Sequence, residues 1–226
     1  MGEQYVIKIF NANSTEIIDN EIKLLNQIQS LKIAKIVERF SINKQEALLY
    51  QQIDGKSLVE PTLDEIKQIG DFLQTLHSLT KAKSNTNRAL YTKERLKTLI
   101  DQADSIALLT HFKNIRCRLQ KDGIIHGDLF VDNAKFRDGE LLAVFDFCDA
   151  CVGDFLFDVA VVAISWCYEK DILNNTKVVA LLKSYKSPLS LEEFKPYIHY
   201  ALLYYTTSRY IHKREYKSLL KRLDSL

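Results

Sequence analysis

A short segment at residues 126–133, with the sequence His-Gly-Asp-Leu-Phe-Val-Asp-Asn, carries the side chains that phosphoryl transfer to an alcohol requires. Such a transfer needs a carboxylate that orients the hydroxyl and accepts its proton. It also needs oxygen ligands for Mg²⁺, because the charge on the transferring phosphoryl group is the main obstacle. The spacing H-x-D-x-x-x-x-N supplies both on one loop, so we predict Asp128 as the base and Asn133 as a metal ligand.

A second metal-binding carboxylate is predicted at Asp146. Asn133 leads into a predicted β-hairpin with its turn at residues 138–139, and the second strand of that hairpin ends near Asp146. An acid that the hairpin returns beside the first loop is in the right place to bind Mg²⁺. The alternative is that the acids of this segment are ordinary turn residues. We favour the metal site, because three acids and an asparagine surround one short hairpin.

The pattern of the chain predicts two units that position these residues. The first, at residues 1–53, is a small unit of one helix and three strands. The second, at residues 54–226, is a larger and mainly helical unit that contains the hairpin. The elements predicted in the small unit are a strand at 5–10, a helix that follows Ser14, and strands at 36–42 and 46–53. A ligand site is expected in the crevice between two such units.

Helix signals dominate the larger unit. Two capping boxes, each a Ser or Thr followed three residues later by Glu, predict helix starts at residues 62–65 and 190–193. A polar loop is predicted at residues 81–88, and a helical pattern then runs over residues 92–121. From residue 154 onward the pattern is helical again. His77 lies on the apolar face of the first of these helices and is predicted to pack there.

Charge and hydropathy restrict the partners. The 226 residues carry 31 Lys and Arg against 29 acids, a net charge of +2, which is too balanced to predict nucleic-acid binding. No apolar run approaches the ~20 residues that a membrane span needs. The sequence contains no signal for an oligomeric state. We therefore expect small-molecule partners, with neither nucleic acid nor a membrane among them.

The cysteine pattern predicts reduced thiols in the cytoplasm, because four cysteines occur in a chain without a signal peptide. Cys148 and Cys151 have the CxxC spacing that zinc and redox sites use. A zinc site needs a second pair at a matching spacing, and the sequence has none. Small buried side chains are therefore the preferred interpretation of this pair.

The stretch from residue 126 to residue 167 resembles the bacterial type II homoserine kinases, within the aminoglycoside phosphotransferase and choline kinase superfamily. The loop pattern at 126–133 marks the superfamily. The Leu-Phe after Asp128, together with Ala-Cys at 150–151 and Trp-Cys at 166–167, indicates homoserine kinase in particular. The other matching stretches are Asp-Phe at 146–147 and Asp-Val-Ala at 158–160, and the resemblance runs from about residue 4 to about residue 212.

The resemblance implies an α+β, protein-kinase-like fold of two lobes. Its small N-terminal β lobe would be incomplete, and its C-terminal lobe would be mainly helical. ATP and Mg²⁺ are the implied cosubstrate and metal. Lys8 would contact the ATP phosphates and Glu21 would pair with that lysine. The backbone of a hinge after Tyr50, at Gln51 and Ile53, would bind adenine.

His126 and Asp158 resemble the pair that braces the catalytic loop in this superfamily. The implied acceptor is homoserine, which is zwitterionic, so its site needs a cation for the carboxylate and an acid for the amine. Arg209 is the candidate for the carboxylate, since it lies where the family places a late helix near the substrate. Asp132 or Asp149 could serve the amine.

The sequence departs from the family at its start, because it begins where the third strand of the small lobe is expected. Only Gly2 precedes Gly55, so these residues contain no Gly-rich loop to cover the nucleotide phosphates. A truncated reading frame, a degenerate enzyme or a second chain that completes the lobe would each account for this. Three functions therefore stay open: a homoserine kinase, a kinase for another alcohol such as choline or an aminoglycoside, and a catalytically silent protein that binds nucleotide or a partner.

Overall fold

The computed structural model describes residues 4–12, 14–83 and 88–226. Its first elements are strand β1 (Tyr5–Ile9), helix α1 (Thr15–Gln27), strand β2 (Ile36–Ile42) and strand β3 (Gln45–Gln51). The strands form an antiparallel sheet in which β3 lies between β1 and β2. The helix and strands predicted here are confirmed, except that β3 ends two residues earlier than expected.

Strand β1 lies at an edge of this sheet and pairs only with β3 among the described residues. Its side chains Val6, Ile7 and Ile9 are each about half exposed. Lys8 lies opposite Leu48, which is fully buried at the centre of β3. This register fixes the position along the sheet of the lysine that is predicted to bind ATP.

The rest of the described chain is mainly helical. Its helices are α2 (Leu63–Thr80), α3 (Lys93–Ala103), α4 (Ile106–Lys113), α5 (Phe155–Trp166), α6 (Asn175–Tyr185), α7 (Leu191–Ile211) and α8 (Lys217–Asp224). Helix α5 is the centre of the core, because nine of its 12 residues are buried and it packs on α2, α6 and α7. Both predicted capping boxes are present, at the starts of α2 and α7.

Short antiparallel strand pairs are set among these helices. Strand β4 (Gly123–Ile125) pairs with β7 (Cys151–Gly153), β5 (Ala134–Arg137) pairs with β6 (Glu140–Val144), and β8 (Tyr168–Glu169) pairs with β9 (Ile172–Leu173). The β5–β6 hairpin is the one predicted, and its turn residues Asp138 and Gly139 have φ of 53° and 79°. Such positive angles are what a tight two-residue hairpin turn requires. The β8–β9 hairpin was not predicted.

The helical pattern predicted over residues 92–121 holds only to Lys113, and it is divided between two helices. Asp104 adopts the left-handed conformation with φ of 47° and ends α3, and the side chain of Ser105 then caps α4. An Asp-Ser pair forms such a local break readily because both side chains bond to nearby backbone groups. Helix α4 ends at Lys113, and the chain reaches β4 through a non-helical segment.

Helices and strands both build this fold, and the predicted α+β class is confirmed. No helix in the described part of the chain is both long enough and apolar enough to cross a membrane. The loop predicted at residues 81–88 falls in part on residues 84–87, which lie outside the described residues.

Candidate active site

The loop between β4 and β5 carries the predicted base and one predicted metal ligand. The Nδ2 atom of Asn133 donates hydrogen bonds to the carbonyl oxygen of Asp128 at 2.7 Å and to its Oδ2 at 3.3 Å. The loop therefore closes on itself, and the Oδ1 of Asn133 is left as the oxygen of that amide. Gly127 turns the loop with φ of 81°, where a Cβ atom would lie 2.4 Å from the ring of Tyr91.

The side chain of Asp158 holds the start of this loop through hydrogen bonds to its backbone. Its Oδ2 accepts the backbone N–H of His126 at 2.9 Å, and its Oδ1 accepts that of Gly127 at 2.8 Å. The carboxyl is fully buried, which opposes its ionisation. The hydrogen bonds from His77 and from the backbone of Gly127 outweigh that burial and hold the pKa of Asp158 below its usual value.

His126 is fully buried with both ring nitrogens engaged. Its Nδ1 accepts the backbone N–H of Asp128 at 3.2 Å, so its Nε2 carries the proton and donates to the carbonyl oxygen of Phe145 at 3.1 Å. Burial lowers the pKa of this imidazole, which keeps it neutral. A ring held in this way ties the loop to the end of β6 and has no free nitrogen with which to act as a base.

His77 contacts the same site, which its position on an apolar helix face did not indicate. Its Nε2 donates to Oδ2 of Asp158 at 3.0 Å, and its Nδ1 accepts the hydroxyl of Tyr185 at 2.8 Å. The ring also stacks on Phe155 with 4.1 Å between centroids. His77 is packed as predicted, yet it also supplies the side-chain donor to a buried carboxylate.

The end of α5 supports the other side of the loop. The indole N–H of Trp166 donates to the carbonyl oxygen of Leu129 at 3.0 Å, and the hydroxyl of Ser165 accepts the N–H of Val131 at 3.0 Å. Trp166 is fully buried. It is therefore a core residue that positions the loop rather than a surface for substrate.

Lys8 reaches from β1 to Asp146 and Glu21. Its Nζ lies 2.7 Å from Oδ1 of Asp146 and 3.8 Å from Oε2 of Glu21. Burial opposes the charge of Lys8, but the surrounding anions, Glu21 first among them, raise its pKa above the usual value. Burial likewise favours a neutral Asp146, but the hydrogen bond from Lys8 holds the pKa of that carboxyl below its usual range. Three of the residues predicted to bind ATP and metal, Lys8, Glu21 and Asp146, thus meet at one point.

Glu21 is 1% exposed and is surrounded by donors. The hydroxyl of Tyr50 donates to its Oε1 at 2.9 Å and the backbone N–H of Phe147 does so at 3.3 Å. The thiol of Cys148 donates to its Oε2 at 3.0 Å, and Lys8 donates to the same sulfur at 2.8 Å. The interpretation of the CxxC pair as small buried side chains holds for Cys151, whereas Cys148 is half-buried and joins this network.

A cavity of about 720 Å³ opens beside Lys8. Five predicted site residues lie on its wall: Lys8, Gln51, Ile53, Asp132 and Asp146. Apolar residues complete the wall, among them Val6, Ala34 and Phe145. Glu21 lies behind this wall. The backbone N–H groups of Gln51 and Gln52 already donate to the carbonyl oxygens of Lys35 and Gln4, so the N–H of Gln51 is not available for adenine.

The chemistry of the predicted ligands determines which metal they could hold. In the described residues, no group of three or more His, Cys, Asp and Glu side chains is arranged to hold a metal ion by itself. Asn133 and Asp146 supply two oxygen ligands, and Mg²⁺ in proteins is commonly held by one or two such groups together with substrate phosphates and water. The two residues therefore fit a metal that arrives with a nucleotide.

A second cavity, of about 340 Å³, lies on the opposite side of the catalytic loop. Its wall includes the predicted residues Asp128, Asp132, Asp149 and Arg209. Burial, followed by the neighbouring acids with Asp149 first, raises the pKa of Asp128 to about 7. Asp149 also lies 3.6 Å from the guanidinium of Arg88. Asp132 lines both cavities, so the loop forms the partition between them.

Two further arginines of this wall, Arg95 and Arg214, were missed by the sequence analysis. Each lies among other charged residues of a polar segment, and only the tertiary fold brings α3 beside the end of α7. Tyr91 and Tyr205 were missed as well. The hydroxyl of Tyr205 donates to the carbonyl oxygen of Gly127 at the base of the cavity.

A protein-family model described as a phosphotransferase enzyme family matches residues 2–187 of the chain. The homoserine kinase of Mesorhizobium japonicum is 32% identical over 163 residues, covering 65% of this chain and 51% of that protein. The homoserine kinase of Brucella anthropi is 34% identical over 160 residues, covering 62% of this chain and 48% of that protein. The chain spans about half the length of these curated relatives.

Solved structures show the same fold. The choline kinase LicA from Streptococcus pneumoniae superposes with a TM-score of 0.71 over 100% of this chain and 88% of that chain, at 19% identity. A streptomycin and ATP complex of the aminoglycoside phosphotransferase APH(2")-IIa superposes with a TM-score of 0.65 over 98% of this chain and 84% of that chain, at 18% identity. These likenesses confirm the predicted kinase-like fold.

Proposed function

Because the chain belongs to the phosphotransferase enzyme family, we propose that it transfers the γ-phosphoryl group of ATP to the hydroxyl of homoserine. The class of enzyme is a small-molecule kinase. The finer statement, homoserine as the acceptor and hence a step of threonine biosynthesis in the cytoplasm, is supported by the homoserine kinases that the chain resembles.

The observation that carries this proposal is the position of the catalytic loop between two cavities. The larger cavity contains Lys8 and Asp146, a cation and an acid suited to the phosphates of ATP and to Mg²⁺. The smaller contains Asp128, the predicted base. Asp132 belongs to both walls. A nucleotide and an alcohol that occupy the two cavities would meet at one loop, which is the arrangement in-line phosphoryl transfer requires.

Asp128 is suited to accept the hydroxyl proton. Burial raises its pKa to about 7, and a general base is most effective when its pKa lies near the working pH. Asn133 donates to Oδ2 of Asp128 and holds the carboxylate in place. Mg²⁺, when bound by Asn133 and Asp146, would supply charge neutralisation on the transferring group.

The two cavities suit the two proposed substrates in polarity. Apolar side chains at Val6, Ala34 and Phe145 line the larger cavity and would accommodate the adenine ring. The smaller cavity gathers three acids and three arginines. Such a lining suits a small zwitterion, because both of its charges find a partner of opposite sign.

The proposal is tested by measuring ADP release from MgATP with L-homoserine, choline and an aminoglycoside as separate acceptors. We expect turnover with homoserine above the other two. Asp128→Asn should reduce turnover by about 100-fold or more while it largely retains ATP binding. The matched control is Asp138→Asn, which changes an exposed turn acid that contacts neither cavity.

Two results would contradict the proposal. The first is stabilisation of the protein against heat by MgATP without phosphoryl transfer to any acceptor, which would indicate a protein that only binds nucleotide. The second is faster turnover of choline or the aminoglycoside than of homoserine, which would keep the reaction and change the acceptor.

A further inference from the structure

One wall of the smaller cavity is basic. Arg95 comes from α3, Arg209 comes from the last turn of α7, and Arg214 follows that helix. The N–H of Arg214 donates to the carbonyl oxygen of Arg209 at 2.9 Å, which folds the chain back and brings the two residues together. We refer to Arg95, Arg209 and Arg214 as the arginine wall.

The arginine wall has no acidic partner within the described residues. None of its three guanidinium groups lies within ion-pair distance of an Asp or Glu, whereas Arg39, Arg137 and Arg222 elsewhere each pair with an acid at 3.0 Å or less. Three cations grouped in this way favour a bound anion, although Asp128, Asp132 and Asp149 also line the cavity. The arrangement is therefore typical of an anion-binding site.

Arg209 is the best-positioned member of the wall. Its guanidinium lies over the ring of Phe130 with 5.1 Å between the charged carbon and the ring centroid. Phe130 belongs to the catalytic loop, two residues after Asp128, and its ring packs edge-on against the buried Tyr205 at 4.8 Å. The stacking holds the guanidinium of Arg209 in a fixed relation to Asp128.

The cavity also contains acids. Asp128, Asp132 and Asp149 lie on the same cavity of about 340 Å³ as the arginine wall. A ligand with its hydroxyl at Asp128 and an ammonium group near the acids would direct a carboxylate toward the arginines. A permanent cation such as a quaternary ammonium would gain nothing from the arginine wall and would be repelled by it.

We infer that the arginine wall binds the carboxylate of the acceptor and selects alcohols that carry one. The inference rests on the proposed function, since it concerns the acceptor of that reaction. Arg95 and Arg214 are specificity-determining residues in this arrangement, and Arg209 is the central ligand of the carboxylate.

Three related compounds separate the charges of the acceptor. L-Homoserine carries both the ammonium group and the carboxylate, 3-aminopropan-1-ol lacks the carboxylate, and 4-hydroxybutyrate lacks the ammonium group. Titration calorimetry of the wild-type protein should show that homoserine binds at least about 10-fold more tightly than 3-aminopropan-1-ol. It should also show binding of 4-hydroxybutyrate.

Variants then assign the preference to residues. Arg209→Gln should weaken homoserine binding by about 10-fold or more, whereas 3-aminopropan-1-ol should bind as tightly as before or more tightly, because a repelling charge is removed. Arg95→Gln and Arg214→Gln should act in the same direction. Arg209→Lys keeps the charge and should recover part of the affinity. The matched control is Arg118→Gln, an exposed arginine in the segment between α4 and β4, which should behave as wild type.

Three results would overturn the inference: equal binding of homoserine and 3-aminopropan-1-ol by the wild type, no binding of either carboxylate, or arginine variants that bind all compounds as the wild type does. Thermal unfolding of each variant checks that it is folded, and the Arg209→Lys protein tests the same point if Arg209→Gln is not. A different result would contradict the proposed function. If the carboxylates bind through the arginine wall but no phosphoryl transfer occurs, the proposed function is wrong and this inference still holds.

Discussion

The ammonium group of Lys8 lies 2.7 Å from a carboxylate oxygen of Asp146, although the two residues are 138 positions apart in sequence. Asp146 is a proposed Mg²⁺ ligand, so in this state the lysine occupies one of the two oxygens that the metal would use. ATP, which brings phosphate oxygens to Lys8 and Mg²⁺ to Asp146, would replace this ion pair with two new ones. Nucleotide and metal binding should therefore be strongly cooperative.

Replacing Lys8 tests this exchange. Lys8→Met should lower kcat/KM for MgATP by about 100-fold, because the phosphates lose a charge-assisted contact. Steady-state kinetics at varied ATP measure the effect. Lys67→Met is the matched control, since Lys67 also pairs with an acid at 2.8 Å but lies on an exposed helix surface. An unchanged kcat/KM in Lys8→Met would contradict the assignment.

Asp128 should make the metal-free protein less stable as the pH rises. Its pKa is about 7 in the folded state against the usual 3.8, so the folded protein holds a proton that the unfolded chain has lost. The free energy of unfolding therefore decreases as the pH rises from about 4 to above 7. Asp128→Asn removes the loss and should be about 1–2 kcal/mol more stable than the wild type at pH 8, with little difference at pH 4.

Urea denaturation in the presence of EDTA measures this difference at both pH values. Asp138→Asn serves again as the control and should show no such pH dependence. An Asp128→Asn protein that is less stable than the wild type at pH 8 would show that the carboxylate is not strained by burial.

His77 should stabilise the fold far more than a comparable surface histidine does. The pairs His77–Asp158 and His111–Asp224 each have 3.0 Å between nitrogen and oxygen, but only the first is buried. His77→Ala should cost about 2–4 kcal/mol of unfolding free energy, because a buried carboxylate loses its partner. His111→Ala should cost less than about 1 kcal/mol. Equal costs in urea denaturation would contradict this account.

The thiol of Cys148 should influence ATP affinity through Glu21 and Lys8. Cys148→Ala removes a donor to Glu21 and an acceptor for Lys8, and we expect it to weaken ATP binding by about 3- to 10-fold. Cys148→Ser keeps both hydrogen bonds and should bind nearly as the wild type does. Titration calorimetry with ATP measures the three proteins. Cys117→Ala is the control, and similar losses in the Ala and Ser variants at position 148 would sink the idea.

The sequence predicted those parts of the molecule that depend on local pattern. The catalytic loop and the β5–β6 hairpin follow from residue spacing and turn chemistry, which act within a few residues. The break at Asp104 was missed because the apolar period continues across it, and backbone conformation at a single residue decided the outcome. The β8–β9 hairpin was missed for a related reason: both residues of its turn, Lys170 and Asp171, have positive φ angles, which lysine rarely adopts.

The site was harder to predict wherever it depends on distant elements. The contact of Cys148 with Lys8 joins residues 140 positions apart, and no spacing rule reaches that far. The same holds for His77 with Asp158, and for the approach of Arg95 to the end of α7. Resemblance to a family brought Lys8 and Glu21 into the prediction, but it could not supply residues for which the family pattern has no equivalent.

The affinity for ATP should depend on whether strand β1 is paired with the rest of its sheet. This strand carries Lys8, yet in the described residues its backbone is bonded to a neighbouring strand on one side only, and its apolar side chains are half exposed. Such a strand detaches more readily than the centre of a sheet, so its amides should exchange with deuterium sooner than those of β3. The observed affinity is the intrinsic affinity reduced by the fraction of molecules in which the strand is docked. A substitution that only fastens β1 to the sheet would thus tighten ATP binding without touching the nucleotide.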